Sequence, residues 1–296
     1  MSALAVRPIP TTKLRNILFA TDFSEASMHA LPYAAGIARK LGSSVYLCHI
    51  VEPKPLVASA PEVAPSLYEG IEEQAATQLT ALAHSPELKE IDAKTALGEG
   101  AIGDALPNLV LEKKIDLIVM GTHGRTGIRR LLLGSAVEAV CRVATCPVLT
   151  VGPGLAPRTA TTLSRILFAT DLSDDSERIL PYLRQMAEEY GSEITVLHVM
   201  PEELVTNPEA AKLAEPIRNT LIQKFEPELA CLKVEFLIGF GETVETVLRT
   251  ARAKNADLIA MGIHNPFLPG VQLKSSTAYR IMAGAHCPVL TFRRNG

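Results

Sequence analysis

The sequence predicts an α/β protein made of two repeated domains, each a five-stranded parallel sheet flanked by helices. Three observations carry this. The chain of 296 residues divides into two units of ordinary domain size, about 150 residues each. A long internal repeat relates its halves. Within each copy, short β-branched or apolar runs alternate with longer helical patterns, the order of a doubly wound sheet.

The repeat is literal at its start. ILFATD at Ile17–Asp22 returns unchanged at Ile166–Asp171, 149 positions on, and LPYAAGIARKLGS (Leu31–Ser43) answers LPYLRQMAEEYGS (Leu180–Ser192). His49 answers His198 in the same register. DLIVMGTHG (Asp116–Gly124) then matches DLIAMGIHN (Asp257–Asn265), and CPVLTV (Cys146–Val151) matches CPVLTF (Cys287–Phe292), at an offset of 141. The first copy therefore carries eight residues more, between His49 and Gly98, where Pro53–Pro65 reads as a loop. The period is too long for a solenoid. Domains over 13–152 and 163–294 follow, joined through Gly152–Thr162, GPGLAPRTATT.

In the first copy, strands are expected at Asn16–Ala20, Ser44–His49, a run leading into Leu97, Leu117–Met120 and Val148–Val151. Parallel sheets of this kind bind ligands in the loops beyond the carboxyl ends of their strands. After the first strand stand Asp22 and Ser24, with Ser24 placed to cap a helix and Asp22 either facing the crevice or assisting that cap. After the third comes Gly98-Glu99-Gly100-Ala101-Ile102-Gly103. This literal G-x-G-x-x-G is a poor dinucleotide site: it is not on the first βα turn, no acidic ribose ligand ends the next strand, and the second copy has Val244 for the last glycine.

The fourth strand leads into Gly121-Thr122-His123-Gly124-Arg125-Thr126-Gly127, and Gly134-Ser135 opens the next helix. Glycines let main chain approach an anion, and a helix start offers unpaired N–H groups and a positive dipole end. Ser135 adds a hydroxyl donor and Arg125 a charged one. No Gly-Lys-Ser or Gly-Lys-Thr follows, so the lysine and the magnesium-holding hydroxyl of a Walker A loop are missing.

The spacing Gly121-x2-Gly124-x9-Gly134-Ser135, with ILFATDFSE at the start, YLCHI at the second strand and CPVLTV at the end, resembles the universal stress protein family, twice over, as in its tandem members. The resemblance implies Rossmann-like domains of the adenine nucleotide alpha hydrolase type. It also implies ATP, with or without magnesium, held by the glycine pattern. Asp22 and the main chain of Ile50 would border the adenosine, and Met120, Gly121, Gly124, Gly134, Ser135 and Ala136 would line the pocket. It further implies that the halves pair through their last strands, CPVLTV and CPVLTF, with a homodimer as a further level of assembly.

The second copy departs from the pattern. Gly262 stays, but Asn265 replaces Gly124, Pro266 replaces Arg125, Ser275 replaces Gly134 and Thr277 replaces Ala136. Proline removes a donor, and side chains at glycine positions obstruct phosphates. The second domain is therefore expected not to hold ATP, although Asp171 and Ser276 remain.

Composition excludes several other classes. With 29 Lys and Arg against 32 Asp and Glu, the formal net charge of −3 gives no basic excess for nucleic acid. At 47% hydrophobic and 21% charged residues the balance is globular. No apolar run approaches the roughly 20 residues of a membrane span, and MSALAVRPIPTTKLR does not read as a signal peptide. Five cysteines without C-x-x-C suggest a reducing cytoplasm, with Cys141 and Cys146 in buried apolar roles and Cys146 and Cys287 packed in equivalent places. His49, His123, His198 and His264 lack metal-ligand spacing, so hydrogen bonding at strand ends is their expected role. No catalytic constellation is evident; only Asp22, Arg125 and Ser135 could assist a slow ATP hydrolysis. Three functions remain open: a nucleotide-dependent regulatory module of the stress response, an interaction protein with a vestigial pocket, and a slow ATPase.

Overall fold

The computed structural model describes residues 13–52, 64–122, 133–153, 155, 162–202, 213–263 and 276–293. The first half runs β1 (Asn16–Ala20), α1 (Glu25–Met28), α2 (Leu31–Leu41), β2 (Ser44–Val51), α3 (Ala64–Ala83), β3 (Ala93–Glu99), α4 (Ile102–Glu112), β4 (Leu117–Gly121), α5 (Ser135–Val143) and β5 (Val148–Val151). The second repeats it as β6 (Arg165–Ala169), α6 (Asp174–Glu177), α7 (Leu180–Tyr190), β7 (Glu193–Met200), α8 (Ala214–Phe225), β8 (Lys233–Phe240), α9 (Thr243–Ala253), β9 (Leu258–Ile263), α10 (Thr277–Gly284) and β10 (Val289–Arg293).

The expected strands are present, two of them slightly longer. The reading of Pro53–Pro65 as a loop needs correction at its end, because Ala64 and Pro65 already belong to α3. Proline fits the first turn of a helix, where its missing N–H has no partner to lose. Residues 53–63 of that stretch, and most of Gly152–Thr162, lie outside the described residues.

All ten strands form one sheet in the order β3-β2-β1-β4-β5-β10-β9-β6-β7-β8. Neighbours are parallel within each half, and β5 and β10 join the halves antiparallel, as the resemblance implied. Leu149 stands opposite Leu290, and these are equivalent residues, so a pseudo-twofold axis passes between them. The seam repeats itself about that axis: Thr150 donates its hydroxyl to the Val289 carbonyl at 3.2 Å, and Thr291 does the same to Val148 at 3.3 Å.

The strands are apolar on both faces because both faces are covered. Ile17, Leu18 and Phe19 are fully buried in succession, as are Leu117, Ile118 and Val119. One core, with Ile17, Phe19, Ile37 and Leu79 from the first half and Phe168, Leu183 and Phe225 from the second, lies beneath α2, α3, α7 and α8. The other lies beneath α4, α5, α9 and α10, with Leu18, Leu106, Val140, Leu167, Val247 and Ile281. Both cores run unbroken across the seam.

Polar residues shared by the two copies secure the opposite end of the sheet from the crevice. Asp116 Oδ2 accepts the N–H groups of Arg15 and Asn16 at 2.8 and 3.0 Å, and Asp257 Oδ2 accepts those of Ser164 and Arg165 at 3.0 and 3.1 Å. Each carboxylate ties the entry of its first strand to its fourth. That accounts for the aspartate in both DLI motifs. Across the seam, Gln185 accepts the Leu14 N–H at 3.0 Å, and the Tyr190 hydroxyl donates to the Gly36 carbonyl at 3.4 Å.

Candidate nucleotide site

In the first half the strand order reverses direction between β1 and β4, so the crevice lies beyond their carboxyl ends. At the end of β1, Ser24 caps α1 by accepting the Ser27 N–H at 3.2 Å. Asp22 holds that cap in place: its Oδ1 accepts the Ser24 N–H at 3.0 Å and the Ser24 hydroxyl at 2.5 Å. The cap-assisting reading is therefore real geometry, and the half-buried carboxylate still stands at the strand end. His49 Nδ1 lies 2.7 Å from the Thr21 carbonyl, which can only accept, so Nδ1 carries the proton. His198 repeats this on Thr170 at 2.9 Å. Both histidines bind strand ends, as expected.

The glycines divide by what they answer to. Gly121 is buried at the end of β4, and a Cβ there would sit 2.7 Å from the Ala26 carbonyl oxygen and 2.9 Å from Ser27 Cα. Glycine at this position lets α1 close over the strand. Gly98 and Gly100 also have structural reasons. A Cβ on Gly98 would meet Leu109 and Ile50 at 3.1 and 3.3 Å, and Gly100 turns at φ 102°. The nearby helix start is already engaged, since Glu52 accepts the Ile102 N–H at 3.2 Å. The G-x-G-x-x-G is thus a packing turn closed by a carboxylate of this chain.

The backbone at Gly134 does not itself require glycine. This residue caps α5 with φ −66° and ψ 153°, extended backbone that any residue adopts. Lacking a side chain, it supplies no side-chain cap to the first N–H groups of α5, beside the exposed Ser135 and Ala136. Its own N–H donates to the Thr122 carbonyl at 2.8 Å, bringing the start of α5 against the end of β4. Met120 is buried in the core beneath α4 and α5, and Ile50 is half-buried on the same face. Gly124 and Arg125 lie outside the described residues, as do His123, His264, Asn265, Pro266 and Ser275.

The second half shows the same positions converging on one space. A cavity of about 450 Å³ is lined by Asp171, Val199, Met261, Gly262, Ser276 and Thr277 among others. These are the counterparts of Asp22, Ile50, Met120, Gly121, Ser135 and Ala136. The helix terminus here is closed by its own residues, however. Ser276 caps α10 and its hydroxyl oxygen accepts the Tyr279 N–H at 3.3 Å. Asp171 accepts the Ser173 N–H at 3.0 Å and the hydroxyls of Ser173 and Ser176 at 2.5 and 2.6 Å. Burial pushes the Asp171 carboxyl up, but these hydrogen bonds together outweigh it and hold the group below the ordinary carboxylate range.

Sequence reasoning missed the carboxylate of Glu52 at α4 and the reach of Tyr279 across the seam to Leu133. The second had a signal: an aromatic residue stands where the first copy has Glu138. Among the described residues no group of three or more His, Cys, Asp or Glu side chains could hold a metal ion. None of the described helices is long and apolar enough to cross a membrane.

The sequence profile of the Universal stress protein family matches residues 13–152 and 162–293. A universal stress protein of Methanocaldococcus jannaschii is 35% identical over 138 residues, spanning 46% of this chain and 81% of that protein. One from Synechocystis sp. is 27% identical over 304 residues, spanning 95% of this chain and 100% of that protein. Among solved structures, a universal stress protein from Archaeoglobus fulgidus has a TM-score of 0.74 at 20% identity, over 96% of this chain and 100% of its own, a likeness of fold. With its literal repeat, ten-stranded sheet and two matched segments, the chain belongs to the universal stress protein family as a tandem, two-domain member.

Proposed function

We propose that the first half binds ATP and that the chain acts as a nucleotide-dependent regulatory module of the stress response, its second half a paired domain without nucleotide. The observation that carries this is the contrast between the starts of two equivalent helices. Helix α5 opens on Gly134, whose backbone does not require glycine and whose missing side chain leaves N–H donors for an outside anion. Helix α10 starts one residue later in the repeat, on Ser276, the counterpart of Ser135, whose side chain takes one of its helix's N–H groups for itself.

The donor set suits a polyphosphate. The N–H groups at Ser135 and Ala136, the Ser135 hydroxyl and the dipole of α5 would meet the phosphates, with Gly124 and Arg125 as further contacts. Asp22 and the main chain of Ile50, with Met120 and Gly121 at the end of β4, would border the adenosine. No lysine of the Walker type accompanies them, so binding rests on main-chain donors, and magnesium would arrive with the nucleotide.

Isothermal titration of the full chain and of Gly134→Val tests this. The wild-type chain should bind one ATP. Valine accepts extended backbone, so the variant should keep the fold and lose ATP as its side chain fills phosphate space. Unchanged affinity in the variant overturns the site. Two ATP per chain overturn the silent second half, and no binding by the wild-type chain leaves an interaction protein.

A further inference from the structure

Tyr279 sits in the first turn of α10, in the half that has lost the glycine pattern, and is 2% exposed. Its hydroxyl oxygen accepts the Leu133 N–H at 2.8 Å and lies 3.4 Å from the Leu133 carbonyl, to which it donates. Leu133 is itself 6% exposed and immediately precedes Gly134, the cap of α5. The turn that opens α5 is therefore held twice. Thr122 holds Gly134 from within the first half, and Tyr279 holds Leu133 from the second.

The tyrosine has no like residue in the first copy. The position equivalent to Tyr279 in the first copy is Glu138, whose carboxylate pairs with Arg142 one turn along its own helix at 3.1 Å. The tyrosine itself is firmly placed. Its N–H is capped by Ser276, its neighbour Arg280 pairs with Glu242 at 2.8 Å, and Ala278, Ile281 and Met282 are buried around it. A buried N–H that loses its partner carries the full cost of desolvation, so the hydroxyl selects one position for the turn.

We infer that Tyr279 is a positioning residue through which the second half sets the phosphate-facing turn of the first. This rests on the nucleotide reading above, and it gives the second half a role without a ligand of its own. The part of the ligand that should sense the tyrosine is the phosphate group, because Leu133 leads directly into the N–H groups of α5.

The test uses the full chain with Tyr279→Phe, and Tyr190→Phe as a control that removes another hydroxyl contact across the seam, to Gly36, away from the turn. Titrations with ATP and with adenosine are compared, together with amide hydrogen exchange at Leu133 to Ala136 without nucleotide. In Tyr279→Phe, ATP affinity should fall about tenfold, the scale of one well-placed hydrogen bond, with adenosine affinity unchanged and faster exchange confined to the turn. Tyr190→Phe should match the wild-type chain in all three. Wild-type ATP affinity in Tyr279→Phe, or equal losses for ATP and adenosine, overturns the inference. If the wild-type chain binds neither ligand, the nucleotide reading fails, and the exchange data alone decide whether the tyrosine holds the turn: unchanged exchange overturns that as well.

Discussion

Burial sets the chemistry of the five cysteines. Cys48, Cys141 and Cys146 are sealed in the core, and desolvation pushes each thiol up to about 12. The hydrogen bond with Thr291 pulls Cys141 the other way without prevailing. Cys287 is also buried, while Cys231 is exposed at a backbone φ of 73°. A thiol-labelling reagent at neutral pH should therefore modify one cysteine quickly in the folded chain, and none in Cys231→Ser. Mass mapping of the label checks this; rapid modification of Cys48 or Cys146 would show that the core opens. The apolar setting of Cys146 and Cys287 was legible in the sequence because each leads into an apolar strand motif, CPVLTV or CPVLTF. The cap-assisting role of Asp22 was legible too, but the partner of His49 was not, since a residue's position at a strand end does not reveal which main-chain group it meets.

At the level of elements, the close approach of α1 to β4 depends on Gly121. Gly121→Ala should lower stability by about 1–3 kcal/mol, because main-chain atoms of Ala26 and Ser27 cannot yield as a flexible side chain would. Urea unfolding measures this. An unchanged midpoint would mean that α1 moves freely aside. The contrast with Gly134 is instructive: both glycines belong to one spacing pattern, yet one serves packing and the other leaves a helix without a side-chain cap. Only the structure distinguishes them, through the main chain packed on Gly121 and the cap position of Gly134. The pattern carried the family resemblance through its place after a strand and the repeated motifs that flank it. It could not apportion roles within the run, and Gly124 and Arg125 stay as expectations from sequence.

At the scale of the molecule, two cores that cross the seam should make the halves unfold together. Leu290 faces Leu149 at the pseudo-twofold axis and is fully buried. Leu290→Ala should cost about 2–5 kcal/mol. Hydrogen exchange should then accelerate by the same factor in β1 and in β6, one strand from each half. Acceleration confined to the second half would show that the halves unfold separately. The two-domain organisation and the strand count were legible because a literal repeat constrains both copies at once. The single ten-stranded sheet needed the family resemblance, since apolar last strands fit any covered edge.

The covalent link between the two halves of that sheet frees them from two constraints that bind a pair of identical chains. Separate subunits fall apart on dilution, whereas partners on one chain meet at an effective concentration set by the link. Identical subunits must also take every mutation twice, once on each side of their axis. Here Ser275 could arise without disturbing Gly134, and Tyr279 without displacing Glu138. Fusion thus permits a division of labour that a symmetric dimer with the same interface cannot reach by any single substitution.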